Sequence, residues 1–251
     1  MVENNQINER IGELLEHLEP ITLEQMSGIK LMNRTDTKFV TNKGKLAQLL
    51  ELAQGKYYAQ FHDGSKVADY MTTYWDTDGH HFYFEHHNGR APRQKVRVRT
   101  YMDSRITFLE VKTKNNHGRT KKKRMTADGF NPEDCLIFDL QSSTYKDFLH
   151  THLRYDPAML KEQVENRFDR VTLVNKGKTE RLTIDTNLRF HNFVTEGRRS
   201  MGDIVIIELK RDGLMPSPIL DKLLDLRIFP HGFSKYCIGS ALTNEALDRK
   251  S

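Results

Sequence analysis

Only two cysteines, Cys135 and Cys237, occur in the 251 residues. They are not spaced as Cys-x-x-Cys, which excludes a disulfide scaffold and a thiolate zinc site. Long hydrophobic runs are missing too. The longest uninterrupted aliphatic stretch is Ile204 to Ile207, far short of a bilayer span. The first residues are polar and acidic, unlike a signal peptide. No internal repeat and no linker rich in Pro, Gly or Ser divides the chain. These absences predict a soluble protein of a reducing, cytoplasmic compartment.

What is present fits one large domain or two small ones. Hydrophobic residues make up 37% and charged residues 29%, which is polar but short of a disordered composition. Lys+Arg number 39 against 34 Asp+Glu, a formal charge of +5, and this basic excess points to anionic partners.

The texture changes along the chain. Ile7, Ile11, Leu14, Leu15 and Leu18 recur at helical spacing until Pro20 stops the segment. Thr22 with Gln25 forms a capping-box pattern for a short second helix. Residues 1–29 therefore read as a helical extension and 30–251 as the main body. In that body Leu31 to Val40 alternates as a strand, and Thr41 or Asn42 caps a helix carrying Leu46, Leu49, Leu50 and Leu52. Further strands are expected near 70–77, 80–88, 93–103, 105–115, 119–126, 163–175, 179–190 and 203–211. Helices are expected near 140–153, 217–227 and 236–247, the second opened by Ser217-Pro218. Many antiparallel-looking strands with few helices predict an α+β barrel.

Residues two apart share one face of a strand. Lys95, Arg97, Arg99 and Tyr101 then oppose Val96 and Val98. Glu110, Lys112 and Lys114 oppose Leu109 and Val111. Arg181, Thr183 and Asp185 oppose Leu182 and Ile184, while Glu208 and Lys210 oppose Val205, Ile207 and Leu209. Arg34, Asp36 and Lys38 align, as do Phe168 and Arg170, and Lys121 to Arg124 add four cations. An ordinary half-buried strand would turn such residues to solvent. Here the polar faces are biased to Arg and Lys. The helices also carry apolar faces, Leu46, Leu49 and Leu50 in one and Leu220, Leu223 and Leu224 in another, that need a surface to cover. Helices wrapped around the apolar face of a barrel would leave the cations lining its interior. Each like-charged pair there costs roughly 4 kcal/mol at 4 Å and an effective dielectric near 20, so a polyanion should fill the lumen. Arg and Lys suit phosphate oxygens. Glu110, Asp185 and Glu208, among these cations, could hold Mg²⁺ or Mn²⁺, which takes one or two carboxylates plus phosphate oxygens.

Ten short pieces occur in order: Arg34-Thr-Asp-Thr-Lys38, Tyr74-Trp-Asp-Thr-Asp78, His87-Asn-Gly-Arg90, Lys95 to Tyr101, Phe108 to Lys112, Lys121 to Arg124, Phe168-Asp-Arg170, Glu180 to Asp185, Ile207 to Lys210, and Ser234-Lys235-Tyr236. Together they resemble the VTC catalytic domain of the polyphosphate polymerases, within the CYTH-like triphosphate tunnel superfamily. The resemblance runs from about Lys30 to Ala241. It implies an eight-stranded antiparallel β-barrel tunnel with helices packed outside. It also implies a metal-dependent transfer of the γ-phosphoryl of ATP to inorganic polyphosphate. Phosphate contacts are implied for Lys38, Arg97, Arg99, Lys112, Arg170, Arg181 and Lys235, with Ser234 assisting and one lysine of Lys121 to Lys123 joining them, taken here as Lys122. Glu208 matches the metal-binding glutamate. A tyrosine expected two residues before Arg170 is replaced by Phe168, and the ExExK signature of the superfamily by Arg34-Thr-Asp-Thr-Lys38. An arginine expected before the Lys95 strand has Arg93 as its nearest counterpart. The resemblance also admits a separate membrane-embedded partner.

His80, His81, His86 and His87 cluster on one expected hairpin but lack the spacing of a zinc site, and read as surface residues. Trp75 reads as a core or wall residue, with stacking on a nucleobase the alternative. The same clamp would serve a tripolyphosphatase or nucleoside triphosphatase with water as acceptor, or a non-catalytic polyphosphate-binding module. A nucleic-acid surface is not expected, because the cations alternate with aliphatics and not with exposed aromatics.

Overall fold

The computed structural model describes all residues except 1, 27, 28, 30–33, 129–137, 214 and 249–251. Cys135 and Leu31 to Asn33, the start of the first expected strand, lie outside them. The chain divides into two compact units. One comprises Met1–Asp69, Phe168–Leu188 and Met201–Phe233; the other comprises Tyr70–Arg167, Arg189–Ser200 and Ser234–Ser251.

In the first unit, α1 (Val2–Glu16) leads into β1 (Glu19–Ile21) and α2 (Leu23–Met26). The expected capping box forms in full: Thr22 N donates to Gln25 Oε1 at 2.9 Å, and Gln25 N to Thr22 Oγ1 at 3.2 Å. Strand β2 (Arg34–Asn42) ends where Asn42 Oδ1 accepts from Lys45 N at 2.9 Å and starts α3 (Lys43–Ala53). Strand β3 (Tyr57–Gln60) follows and pairs parallel with β1. The unit also takes in the second part of β8 (Lys161–Asn175), most of β9 (Glu180–Asn192), and β11 (Ile204–Asp212). Helix α6 (Pro218–Asp225) begins as the sequence predicts, with Ser217 capping Leu220 N and Pro218 in the first turn. The core of the unit joins Leu15 of α1, Leu18 in the bend after it, Leu46, Leu49 and Leu50 of α3 and Ile219 and Leu223 of α6. These cover Phe39, Leu182, Ile184, Val205, Ile207 and Leu209 of β2, β9 and β11. Helices thus cover the apolar face of this sheet, and the charged face is the opposite one.

The second unit is built on β4 (Ala68–Asp76), β5 (Arg93–Tyr101), β6 (Ile106–Lys114) and β7 (Thr120–Thr126), antiparallel neighbours in that order. Helix α5 (Ser143–His152) lies against β6. Short β10 (Arg198–Ser200) pairs with the end of β9. Helix α7 (Lys235–Thr243) gives way at Asn244 to α8 (Glu245–Asp248), so the single helix expected over 236–247 is two. Gly239 of α7 rests on β8 and β9, and a Cβ there would strike the Phe190 ring and approach Val164 Cγ1 to 3.1 Å.

The strand expected over 80–88 is instead a helix, α4 (His81–His87). The cause is Asp76. It is fully buried and accepts from the backbone N–H groups of Thr77, Phe82 and Tyr83 at 2.7, 3.0 and 2.9 Å. That supplies the helix start with the acceptor its orphan N–H groups need. Tyr236 OH also donates to Asp76, at 2.6 Å.

The strands of the main path run in the order β2-β11-β9-β8-β4-β5-β6-β7, eight in all, with β1, β3 and β10 attached off it. The fold is α+β and dominated by antiparallel pairing.

Candidate phosphate-binding faces

Strand register decides which charges meet. In the first unit Glu208 of β11 stands opposite Lys38 of β2 and Thr183 of β9, and Lys210 opposite Asp36 and Arg181. Ile206 stands opposite Asp185. Lys38, Glu208, Lys210, Arg181 and Asp185 therefore share the face away from the helices. Arg170 of β8 joins it through a bidentate pair, Nε to Asp185 Oδ1 at 2.6 Å and Nη2 to Oδ2 at 2.8 Å. Lys38 Nζ donates to the Phe233 carbonyl at 2.7 Å. Glu208 is ion-paired with Lys210. Burial alone would raise the Glu208 carboxyl, but Lys210, Lys38 and Arg170 outweigh it and hold the group at about 2. The Lys210 ammonium is pushed down by burial, and the pull of Glu208 does not fully offset this. Phe168 is buried, with the Arg170 guanidinium 5.2 Å from its ring centroid.

The second unit carries its own charged face. Arg97 stands opposite Glu110 and Tyr74, Lys95 opposite Lys112, and Lys112 opposite Lys122. Glu110 is 1% exposed. It takes Arg97 Nε on Oε2 at 2.6 Å and Lys122 Nζ on Oε1 at 3.1 Å. Burial would raise its carboxyl; Arg97, Arg99 and Lys122 prevail and lower it to about 2. Arg99 Nε donates to Thr72 Oγ1 at 3.1 Å, and its guanidinium lies 5.6 Å from the Tyr70 centroid. Ser234 caps α7, accepting from Cys237 N at 3.3 Å and from Lys95 Nζ at 2.8 Å, and Lys235 opens that helix. Among the three consecutive lysines, Lys122 shares the face of Lys112 and Glu110, whereas Lys121 and Lys123 fall opposite Thr113 and Val111 on the other side.

Lys95, Lys210 and Asp36 stand among these groups without having been singled out as ligands. The alternation of β5, β11 and β2 was the signal that placed them there. Arg93, the nearest counterpart of a missing arginine, lies in β5 and donates to the Arg90 carbonyl at 2.9 Å. Trp75 is buried and stands opposite Val96, on the face away from Arg97. The histidines lie on or beside α4 and not on a hairpin. His81 Nδ1 is 2.6 Å from Thr77 Oγ1, and His86 Nε2 is 3.3 Å from Lys95 Nζ.

Among the described residues no three His, Cys, Asp or Glu side chains gather around one point. Glu110 belongs to one unit, and Asp185 and Glu208 to the other. Both oxygens of Asp185 are held by Arg170 and those of Glu110 by Arg97 and Lys122. Glu208 stays ionised at neutral pH and fits a hard divalent ion completed by phosphate oxygens and water. Each face can thus offer fixed guanidinium and ammonium donors to phosphate oxygens.

A search of curated protein sequences returns no match. Among solved structures, a candidate adenylate cyclase from Bacillus halodurans is 14% identical, with 81% of this chain and 96% of that one covered and a TM-score of 0.52. A candidate adenylyl cyclase from Hippeastrum, reported with a dominant triphosphatase activity, is 16% identical over 86% of this chain and 99% of that one, at a TM-score of 0.49. At such identity the first likeness shows the fold, the CYTH-like one that the sequence resemblance implied. A family model described as the VTC domain matches residues 33–244. With most of its length inside that match, the chain belongs to the VTC domain family.

Proposed function

We propose that this chain is an enzyme acting on triphosphates, specifically a polyphosphate polymerase that moves the γ-phosphoryl group of ATP onto inorganic polyphosphate. The VTC domain match over residues 33–244 carries this reading. The two basic faces, each braced by buried acids, support it.

The chemistry asks little covalent work of the protein. A terminal oxygen of the acceptor chain forms a bond to the γ-phosphorus while the bond to the β–γ bridging oxygen breaks, and ADP leaves with that electron pair. The acceptor oxygen is already anionic, so no general base is needed. Arg170, Arg181 and Lys38 on one face, and Arg97, Arg99, Lys112 and Lys122 on the other, bind phosphate oxygens and neutralise the charge that shifts toward the leaving group. Ser234 and Lys235 add donors at the start of α7. Glu110 and Asp185 act through the arginines, fixing Arg97 and Arg170 in place before substrate arrives. A Mg²⁺ or Mn²⁺ ion held by Glu208 would supply further charge neutralisation at the phosphates.

Residues 30–251 form the catalytic body in this reading, with 1–29 as a helical extension. Its site of action is the cytoplasm, beside a membrane-embedded partner. No helix among the described residues is long and apolar enough to cross a membrane.

The test is incubation with ATP and Mn²⁺. A long anionic polymer on a gel, formed with ADP, supports the proposal. Phosphate release without polymer replaces it with a triphosphatase, and neither product leaves a binding module. Glu208→Gln should lose turnover far more than polyphosphate affinity.

A further inference from the structure

The first unit contains a cavity of about 310 Å³ between α1, α3 and β9, on the side of the sheet away from the phosphate-binding charges. Its walls include the apolar side chains of Leu46 and Ile184. Two charged groups also line it, and neither has a role in the proposed reaction. Lys43 is only 6% exposed. It sits in the first turn of α3, where the helix dipole disfavours a cation. Among the described residues its Nζ donates only to Asn8 Oδ1 at 2.9 Å and Asn187 Oδ1 at 2.8 Å, both neutral amides, which leaves one of its three N–H donors over. Asp169 accepts from Asn187 Nδ2 on Oδ2 at 2.6 Å. The Asn187 amide thus spans a buried ammonium and a carboxylate that lie within about 8 Å of each other.

That arrangement has a polarity. A ligand lying beside the Asn187 amide meets a spare N–H donor at one end and an anionic acceptor at the other, with apolar walls beyond. A simple anion would match Lys43 but be repelled by Asp169, and a simple cation the reverse. A zwitterion with adjacent charges matches both in the same sense as the amide. The volume leaves room for a large apolar substituent, within the usual size of small-molecule pockets. Gly12 of α1 lines the cavity as well, and a Cβ there would meet no atom within 4 Å. We infer that this cavity binds an α-amino acid with a large apolar side chain, its carboxylate on Lys43 and its ammonium on Asp169.

Isothermal titration of the full chain with L-phenylalanine tests this, with 3-phenylpropionate and phenethylamine as ligands that keep only one charge each. L-phenylalanine should bind, and each half-ligand should bind about tenfold more weakly or worse, the loss of one charge-assisted contact. Lys43→Met and Asp169→Asn should each reproduce that loss. Gly12→Leu, which fills the cavity without touching either charge, should abolish binding and serves if Lys43→Met fails to fold. Tripolyphosphate should not compete. The inference is overturned if L-phenylalanine gives no heat, if 3-phenylpropionate binds as well, if Gly12→Leu binds unchanged, or if tripolyphosphate displaces the amino acid.

Discussion

Replacing Glu110 by Gln isolates the buried charge cluster of the second unit. Glu110 is 1% exposed and is engaged by Arg97 and Lys122. Its carboxyl, with an ordinary value of 4.5, is held at about 2 because Arg97, Arg99 and Lys122 outweigh the effect of burial. A depression of that size corresponds to about 3 kcal/mol favouring the ionised native state. The native protein releases this proton more readily than the unfolded chain. The contribution is therefore fully present above pH 4.5 and disappears as pH falls toward 2. Glu110→Gln removes the charge and leaves Arg97, itself 8% exposed, beside a neutral amide. Breaking a buried pair in this way costs about 3–5 kcal/mol, consistent with the linkage figure.

The measurement is urea unfolding of wild type and variant followed by the fluorescence of Trp75. This is the sole tryptophan, and it is buried in the same unit as Glu110. At neutral pH the variant should be less stable by about 3 kcal/mol. At pH 3 the gap should shrink to about 1 kcal/mol, since only about one pH unit then separates the solution from the native value. The depressed Glu208 is common to both proteins and cancels in the comparison. A gap that is the same at both pH values would refute the claim that charge on Glu110 stabilises this face, and so would a variant as stable as wild type at neutral pH.

Tripolyphosphate at about a hundred times its Kd should add ~2.7 kcal/mol of stability and raise Tm by roughly 5–10 °C, whereas adenosine alone should not; equal shifts in a thermal melt would count against phosphate recognition. Lys122→Ala should weaken tripolyphosphate binding about tenfold by losing one charge-assisted contact, while Lys123→Ala, on the other side of β7, should leave the titration unchanged. Gly239→Ala should destabilise by about 1–3 kcal/mol through overpacking, because the new methyl meets Phe190; a chemical melt identical to wild type would disprove that close approach. Tyr236→Phe should cost about 1–3 kcal/mol by taking a hydroxyl donor from buried Asp76, read in the same melts.

The strand faces were legible because alternation fixes them before any pairing is known. Arg97 and Arg99 on one side of β5, with Val96 and Val98 on the other, follow from period two alone. The helices were legible where their caps are local, as with Asn42, Ser217 and the reciprocal Thr22 and Gln25 pair. Helix α4 was not, because His81-Phe-Tyr-Phe84 is rich in residues that favour strands. The acceptor that overrides this preference is Asp76, five or more residues upstream of the helix body and fixed by Tyr236 from the far end of the chain.

The charged faces show the same division between what alternation tells and what register adds. Alternation separates Lys122 from its two neighbours, but the choice of side needs the pairing of Lys112 with Lys122 across β6 and β7. Register also gives the acids a meaning that the sequence leaves open. Glu110, Asp185 and Glu208 all read as candidate metal ligands, because each shares a strand face with a cation, Lys112, Arg181 and Lys210 in turn. Cross-strand partners divide them: Arg97 takes Glu110 and Arg170 takes Asp185 through fixed guanidinium geometry, whereas the partner of Glu208 is the flexible side chain of Lys210. A lysine can swing away on its four-carbon stem when a stronger charge arrives, and a bidentate arginine gives up two hydrogen bonds to do so. Glu208 is therefore the carboxylate whose protein partner is most easily displaced, and Glu110 and Asp185 are the two that hold arginines still.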